Sequence, residues 1–129
     1  MKKKYLIVIA DYYKDISKGL LSSAKSILPK SSLIKIINVP GVFEIPVTIS
    51  KNIKKYDAFL ALGCVIRGDT PHFDFISQAS INAIMDLSVT SKKPIGNGII
   101  TCLNMKQAIV RQKKGTEAAE AVISILSQK

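Results

Sequence analysis

His72 is the only histidine in this chain of 129 residues, and its neighbours are those that a proton-transfer site would use. It stands in the run Gly63-Cys64-Val65-Ile66-Arg67-Gly68-Asp69-Thr70-Pro71-His72-Phe73-Asp74. The apolar stretch Phe59 to Ile66 leads directly into a small polar turn. Thr70-Pro71 then reads as a helix start, with Thr70 at the N-cap and Pro71 at the first helical position. His72 would sit in the first helical turn, at the carboxyl end of a buried strand. Free backbone N–H groups and the helix dipole there make an anion site, with Asp69 and Thr70 placed to contact a phosphate. Imidazole is the side chain whose ordinary titration range brackets neutral pH, so it can both take and give a proton. Alone, such a histidine is more often a cap or a surface residue; the case for chemistry rests on the other strand ends.

Gly41-Val42-Phe43-Glu44-Ile45-Pro46 follows a second apolar run. Gly41 permits a tight turn or a close backbone approach to a ligand. Glu44, two residues before Pro46, either caps a helix or accepts hydrogen bonds from a polyol or an amine. Phe43 is either core or a stacking surface. Tyr12, just beyond the first apolar run, carries the same ambiguity, as does Tyr13. Arg111 and Lys114, near Gly115, are either solvated surface charges or partners of a phosphate. No P-loop and no Gly-x-Gly-x-x-Gly occurs, so no nucleotide cofactor is indicated. With one histidine and no Cys-x-x-Cys, a structural zinc site is not indicated either. Cys64 and Cys102 lie inside apolar runs and read as buried small hydrophobes. One base, one carboxylate, stacking aromatics and an anion site suit proton transfer on a phosphorylated small molecule.

Apolar runs alternate with helical patterns along the chain. Strands are expected at Tyr5 to Ala10, Leu33 to Val39, Ala58 to Ile66 and Ile95 to Thr101. Ile16, Leu20, Leu21, Ala24, Ile27 and Leu28 recur at helical spacing. Pro46 opens a helix to about Lys54 with Val47, Ile49 and Ile53 inward. Phe73, Ile76, Ser80, Ala83, Ile84 and Leu87 mark one face of a long helix. Asn104 with Gln107 resembles a cap opening a helix through Arg111, and Thr116 opens the last helix, Glu117 to Leu126. The order βαβαβαβα predicts an α/β domain: a four-stranded parallel sheet with helices on both faces. In such sheets ligands bind beyond the carboxyl ends of the strands, where the unusual residues cluster.

The length fits one domain with a real core. Hydrophobic residues make up 47% of the chain, which excludes a disordered one. A net charge of +10 raises nucleic-acid binding as an alternative. The lysines are scattered, however, and no arginine stripe interleaved with aromatics appears, so neither nucleic acid nor membrane is expected as a partner. The apolar part of the N-terminal segment is too short for a signal peptide and ends at Asp11. No stretch is long enough to span a membrane, and the expected location is the cytoplasm.

These residues resemble those of the 6,7-dimethyl-8-ribityllumazine synthases of riboflavin biosynthesis, over nearly the whole chain. Gly41-Val42-Phe43-Glu44-Ile45-Pro46 is similar to that family's Gly-Ala-Phe-Glu-Ile-Pro. Ala61 through Asp74 is similar to its most specific motif, and Ile99-Ile100-Thr101 through Gln107-Ala108 and Arg111 to a third. The resemblance implies a flavodoxin-like three-layer α/β/α sandwich and a transferase that needs no cofactor. The amine of 5-amino-6-(D-ribitylamino)uracil would condense with the ketone of 3,4-dihydroxy-2-butanone 4-phosphate; phosphate leaves, and ring closure with loss of water gives the lumazine, the penultimate step of the pathway. His72 would transfer protons. Asp69, Thr70, Arg111 and Lys114 would hold the phosphate. Tyr12, Val42, Phe43, Glu44, Cys64, Val65, Ile66 and Asn97 would bind the ribitylaminouracil. The resemblance further implies a homo-oligomer built from pentamers, with Arg111 and Asn97 supplied by the neighbouring subunit, and leaves room for association with riboflavin synthase.

Three departures stand out. Asn97 occupies a position where many members carry Phe. Asp11-Tyr12-Tyr13 replaces a common Arg-Phe-Asn. The loop between Arg111 and Lys114 lacks the Gly-Thr-Lys-Ala-Gly-Asn-like insert of the sixty-subunit shells, which favours a pentamer or a pair of pentamers. A non-catalytic lumazine or flavin binder on the same scaffold is the alternative that Asn97 and Asp11 raise.

Overall fold

The computed structural model describes residues 2–128. Four strands form one sheet: β1 (Lys4–Ala10), β2 (Leu33–Val39), β3 (Ala58–Ile66) and β4 (Ile95–Cys102). Their order is β2-β1-β3-β4, and every pairing is parallel. Five α-helices connect and follow them: α1 (Lys14–Lys25), α2 (Ile45–Lys51), α3 (His72–Ser91), α4 (Met105–Val110) and α5 (Lys114–Leu126). The predicted α/β architecture is the one observed, and each layer follows from the strand sequences.

β1 and β3 are apolar on both faces because both faces are covered. In β1, Tyr5, Ile7 and Ile9 join Leu60, Leu62, Leu20, Ala119 and Val122 in the core beneath α1 and α5. Their alternates Leu6, Val8 and Ala10 join Phe59, Ala61, Ile45, Ile49 and Ile84 in the core beneath α2 and α3. Two cores on opposite sides of one sheet make three layers.

Local signals set most helix ends. The Asn104 side chain accepts from the Gln107 N–H at 2.9 Å, and the Gln107 side chain accepts from the Leu103 N–H at 2.8 Å. This is the reciprocal cap expected from those two residues. Other boundaries differ from the sequence reading. The first helix ends at Lys25, with Ile27 and Leu28 packing onto the same core from the turn beyond it. α2 ends at Lys51 rather than Lys54. Val47 is 58% exposed, not inward: the buried stripe is Ile45 and Ile49 at i,i+4 spacing, and Val47 lies halfway round the helix from it.

Thr116 does not open α5. The helix begins at Lys114, and the Thr116 hydroxyl donates to the Ser23 carbonyl of α1 at 2.9 Å. The Ser23 hydroxyl in turn donates to the Gln112 carbonyl at 2.8 Å. Gly115 lets the two helices cross this closely, because a Cβ there would run into the Leu20 carbonyl oxygen and Ser23 Oγ. Helix backbone cannot give way cheaply, so Gly115→Ala is expected to destabilise the fold by about 1–3 kcal/mol. Thermal or urea unfolding checks this, and an unchanged midpoint would contradict it.

Candidate active site

The carboxyl ends of β1, β2 and β3 bring most of the predicted residues to one edge. β3 passes into the exposed loop Arg67–Pro71, anchored where the Arg67 N–H donates to the Cys102 carbonyl at 2.9 Å. α3 begins at His72, one residue later than expected. The Thr70 hydroxyl still acts in the capping direction, accepting from the His72 N–H at 3.4 Å. His72, Asp69 and Thr70 are all exposed, so the imidazole and the start of α3 stand open to a ligand.

After β2, Gly41 is extended, with φ −150°, so its role is not left-handed backbone. Its value is room, because a Cβ there would lie 3.2 Å from Glu44 Oε1. Val42–Glu44 form a short 3-10 turn leading into α2. Glu44 occupies the N-cap position of α2, yet its carboxylate makes no cap hydrogen bond. Phe43 is 62% exposed. Neither side chain serves the core or the cap, so both remain available to a ligand. They border an apolar groove of about 390 Å³ between α2 and α3, with Pro46, Val47, Ala79 and Ala83. The Ser80 hydroxyl is buried beneath it without a hydrogen-bond partner.

The remaining ring-binding candidates differ in what they can offer. Tyr12 is 74% exposed beyond β1, and its ring meets Tyr13 edge-on at 4.9 Å. The Val42 side chain is core, packed where Gly63 leaves space. Cys64 is buried on the opposite side of the sheet, with Cys102. Burial, with a smaller effect from Cys102, pushes the Cys64 thiol up to about 12, so it stays protonated and is no nucleophile. From Val42 and Cys64 a ligand could reach backbone only. Val65 and Ile66 are half-buried, one against each core.

Asn97, Arg111 and Lys114 come together elsewhere. They line a second groove, of about 500 Å³, along the outer edge of β4 with Ile81, Thr101, Lys113 and Glu117. Arg111 follows α4, and its Nη1 donates to the Thr101 carbonyl at 3.1 Å, which aims the guanidinium along the strand edge. Lys114 lies 3.6 Å from the Glu117 carboxylate. Lys113, which sequence reasoning passed over, adds a third cation; the only signal for it was its place between Arg111 and Lys114. His72, Thr70, Phe43 and Glu44 are not among the residues lining this groove. Within one chain, Phe43 and Glu44 border one groove and the cation cluster another, and His72 lines neither.

Residues 2–129 match the family model described as 6,7-dimethyl-8-ribityllumazine synthase. The 6,7-dimethyl-8-ribityllumazine synthase of Bartonella bacilliformis is 46% identical over 134 residues, covering 96% of this chain and 88% of the relative. That of Rhodopseudomonas palustris is 44% identical, covering 94% and 82% respectively. That of Bartonella tribocorum is also 44% identical and covers the whole chain and 93% of the relative. A parallel α/β sandwich, the strand-end constellation around His72 and near-full-length identity of this order converge: the chain belongs to the 6,7-dimethyl-8-ribityllumazine synthase family.

Proposed function

We propose that this protein forms 6,7-dimethyl-8-ribityllumazine from 5-amino-6-(D-ribitylamino)uracil and 3,4-dihydroxy-2-butanone 4-phosphate, in the cytoplasm, at sites shared between neighbouring subunits of a ring of five. The amine attacks the ketone, and an imine forms with loss of water. Phosphate is then eliminated, and the ribitylamino nitrogen closes the second ring with loss of another water. Each step moves protons and none requires a redox change. His72 transfers protons, and Arg111, Lys114 and the Asp69–Thr70 turn hold the phosphate. Phe43 and Tyr12 flank the heterocycle, and Glu44 accepts hydrogen bonds from the ribityl chain. The reading rests on family membership together with these side chains standing open at the strand ends.

One observation supports the shared site: the groove bordered by Phe43 and Glu44 is distinct, within a single chain, from the groove that holds Arg111. Both surfaces carry exposed apolar residues, Phe43 and Val47 on one, and Val110, 76% exposed, on the other. Two different patches on one molecule that meet head to tail form a ring when the rotation between neighbours closes. Val47→Asp, placing a charge in the apolar groove, is therefore expected to convert the assembly to monomers and to abolish turnover while the helical content is kept. Sedimentation and circular dichroism check this; an assembled, active variant would contradict it. The activity itself is tested by supplying both substrates and following the lumazine's absorbance and fluorescence. Product formation no faster than the spontaneous background would overturn the proposal.

A further inference from the structure

Asn97 sits half-buried on the outer edge of β4, between Gly96 and Gly98. A Cβ on Gly96 would run into the Ala118 carbonyl oxygen, and one on Gly98 would meet the Ala118 Cβ at 3.4 Å. Both glycines thus face α5. Alternate strand residues point to opposite faces, so Asn97 takes the α3 side of the sheet, where it lines the edge groove with Ile81 of α3 and with Arg111. Its Oδ1 accepts from the Ile99 N–H at 3.0 Å, satisfying a donor on the free edge of the sheet. That bond orients the amide with its oxygen towards the strand backbone. The Nδ2 group, with two donors, then has no protein hydrogen-bond partner among the described residues.

We infer that Asn97 is a specificity-determining residue that donates from Nδ2 to a ring carbonyl oxygen of the pyrimidinedione substrate, reading the ring by hydrogen bonding rather than by stacking. The inference rests on the function proposed above. Arg111 and Lys114 are matched to the phosphate by charge, whereas a neutral amide donor is matched to a neutral carbonyl. An aromatic wall accepts any flat heterocycle; an oriented amide donor penalises a ring without the carbonyl, because the donor is then left buried and unpaired.

The test measures calorimetric binding of the ribitylaminouracil, without the second substrate, to the assembled protein. Asn97→Leu removes the donor while keeping the branching of the side chain, and Asn97→Asp keeps the oxygen that caps Ile99 while removing the donor. Both are expected to weaken binding about tenfold, and Asn97→Phe not to restore it. The parent should also discriminate about tenfold against one of two ligand analogues, each lacking one ring carbonyl, and Asn97→Leu should not. A purely structural Asn97 would shift the unfolding midpoint without changing that discrimination. Parental affinity in the Leu and Asp variants, tighter binding by the Phe variant, or unchanged discrimination would each overturn the inference while leaving the proposed function standing. A parent that neither binds the ribitylaminouracil nor turns over would overturn both.

Discussion

His72→Ala is expected to lower kcat by about 10- to 100-fold while KM for each substrate changes by less than about threefold. A positioned general acid–base contributes roughly 10²–10⁴-fold to a rate. The expected loss lies at or below the lower end of that range because the imidazole is exposed, where water can take over part of its role. The same exposure separates this effect from folding, since a surface substitution of this kind shifts stability by no more than about 0.5 kcal/mol. Stopped-flow or steady-state kinetics with both substrates, beside an unfolding curve, make the test. An unchanged kcat would remove His72 from the proton path.

Arg111→Ala acts on the other half of the site and carries the largest expected effect on binding. KM for the butanone phosphate should rise about 30- to 100-fold, with KM for the ribitylaminouracil nearly unchanged. Charge-assisted hydrogen bonds to a phosphate contribute about 1.5–3 kcal/mol, and the guanidinium offers two parallel donors. Arg111→Lys should recover only part of the loss, because an ammonium keeps the charge and loses the fork. Thr101 loses its Nη1 partner in both variants, but its carbonyl lies on the open edge of β4 where water replaces that bond. A rise in KM for the ribitylaminouracil alone would place Arg111 against the wrong substrate.

The central strands were legible because burial on both faces leaves nothing for the sequence to alternate: Ala58 to Ile66 is apolar throughout, and its bounds are those observed. Helix ends were legible where the signal was local, as at Asn104 and Gln107, whose side chains close on each other's turn. They were not legible where a distant partner took the group. Thr116 resembles an N-cap by its chemistry and by the glutamate after it, but α1 supplies a carbonyl that no local pattern announces. Val47 is apolar at a position that a lone helix would expose; its apolar character belongs to the groove beside Phe43 rather than to the core. The candidate residues were legible by type and by their place at strand ends. Their division over two grooves was legible only through the family resemblance, which assigned Arg111 and Asn97 to the neighbouring subunit; the residues alone did not announce it, because it depends on the strand order that sets β4 at the edge beyond β3.

That division gives the central claim a direct measurement. If each site takes His72 from one subunit and Arg111 from the next, His72→Ala and Arg111→Ala chains combined in one ring rebuild intact sites from two defective partners. Co-expressing the two variants in equal amounts and purifying the mixed assembly should restore about a quarter of the parental activity, the share of head-to-tail interfaces that receive both native residues under random assembly. Activity no greater than the average of the two separate variants, from an assembly shown to contain both chains, would contradict the account, because both residues would then have to come from the same chain.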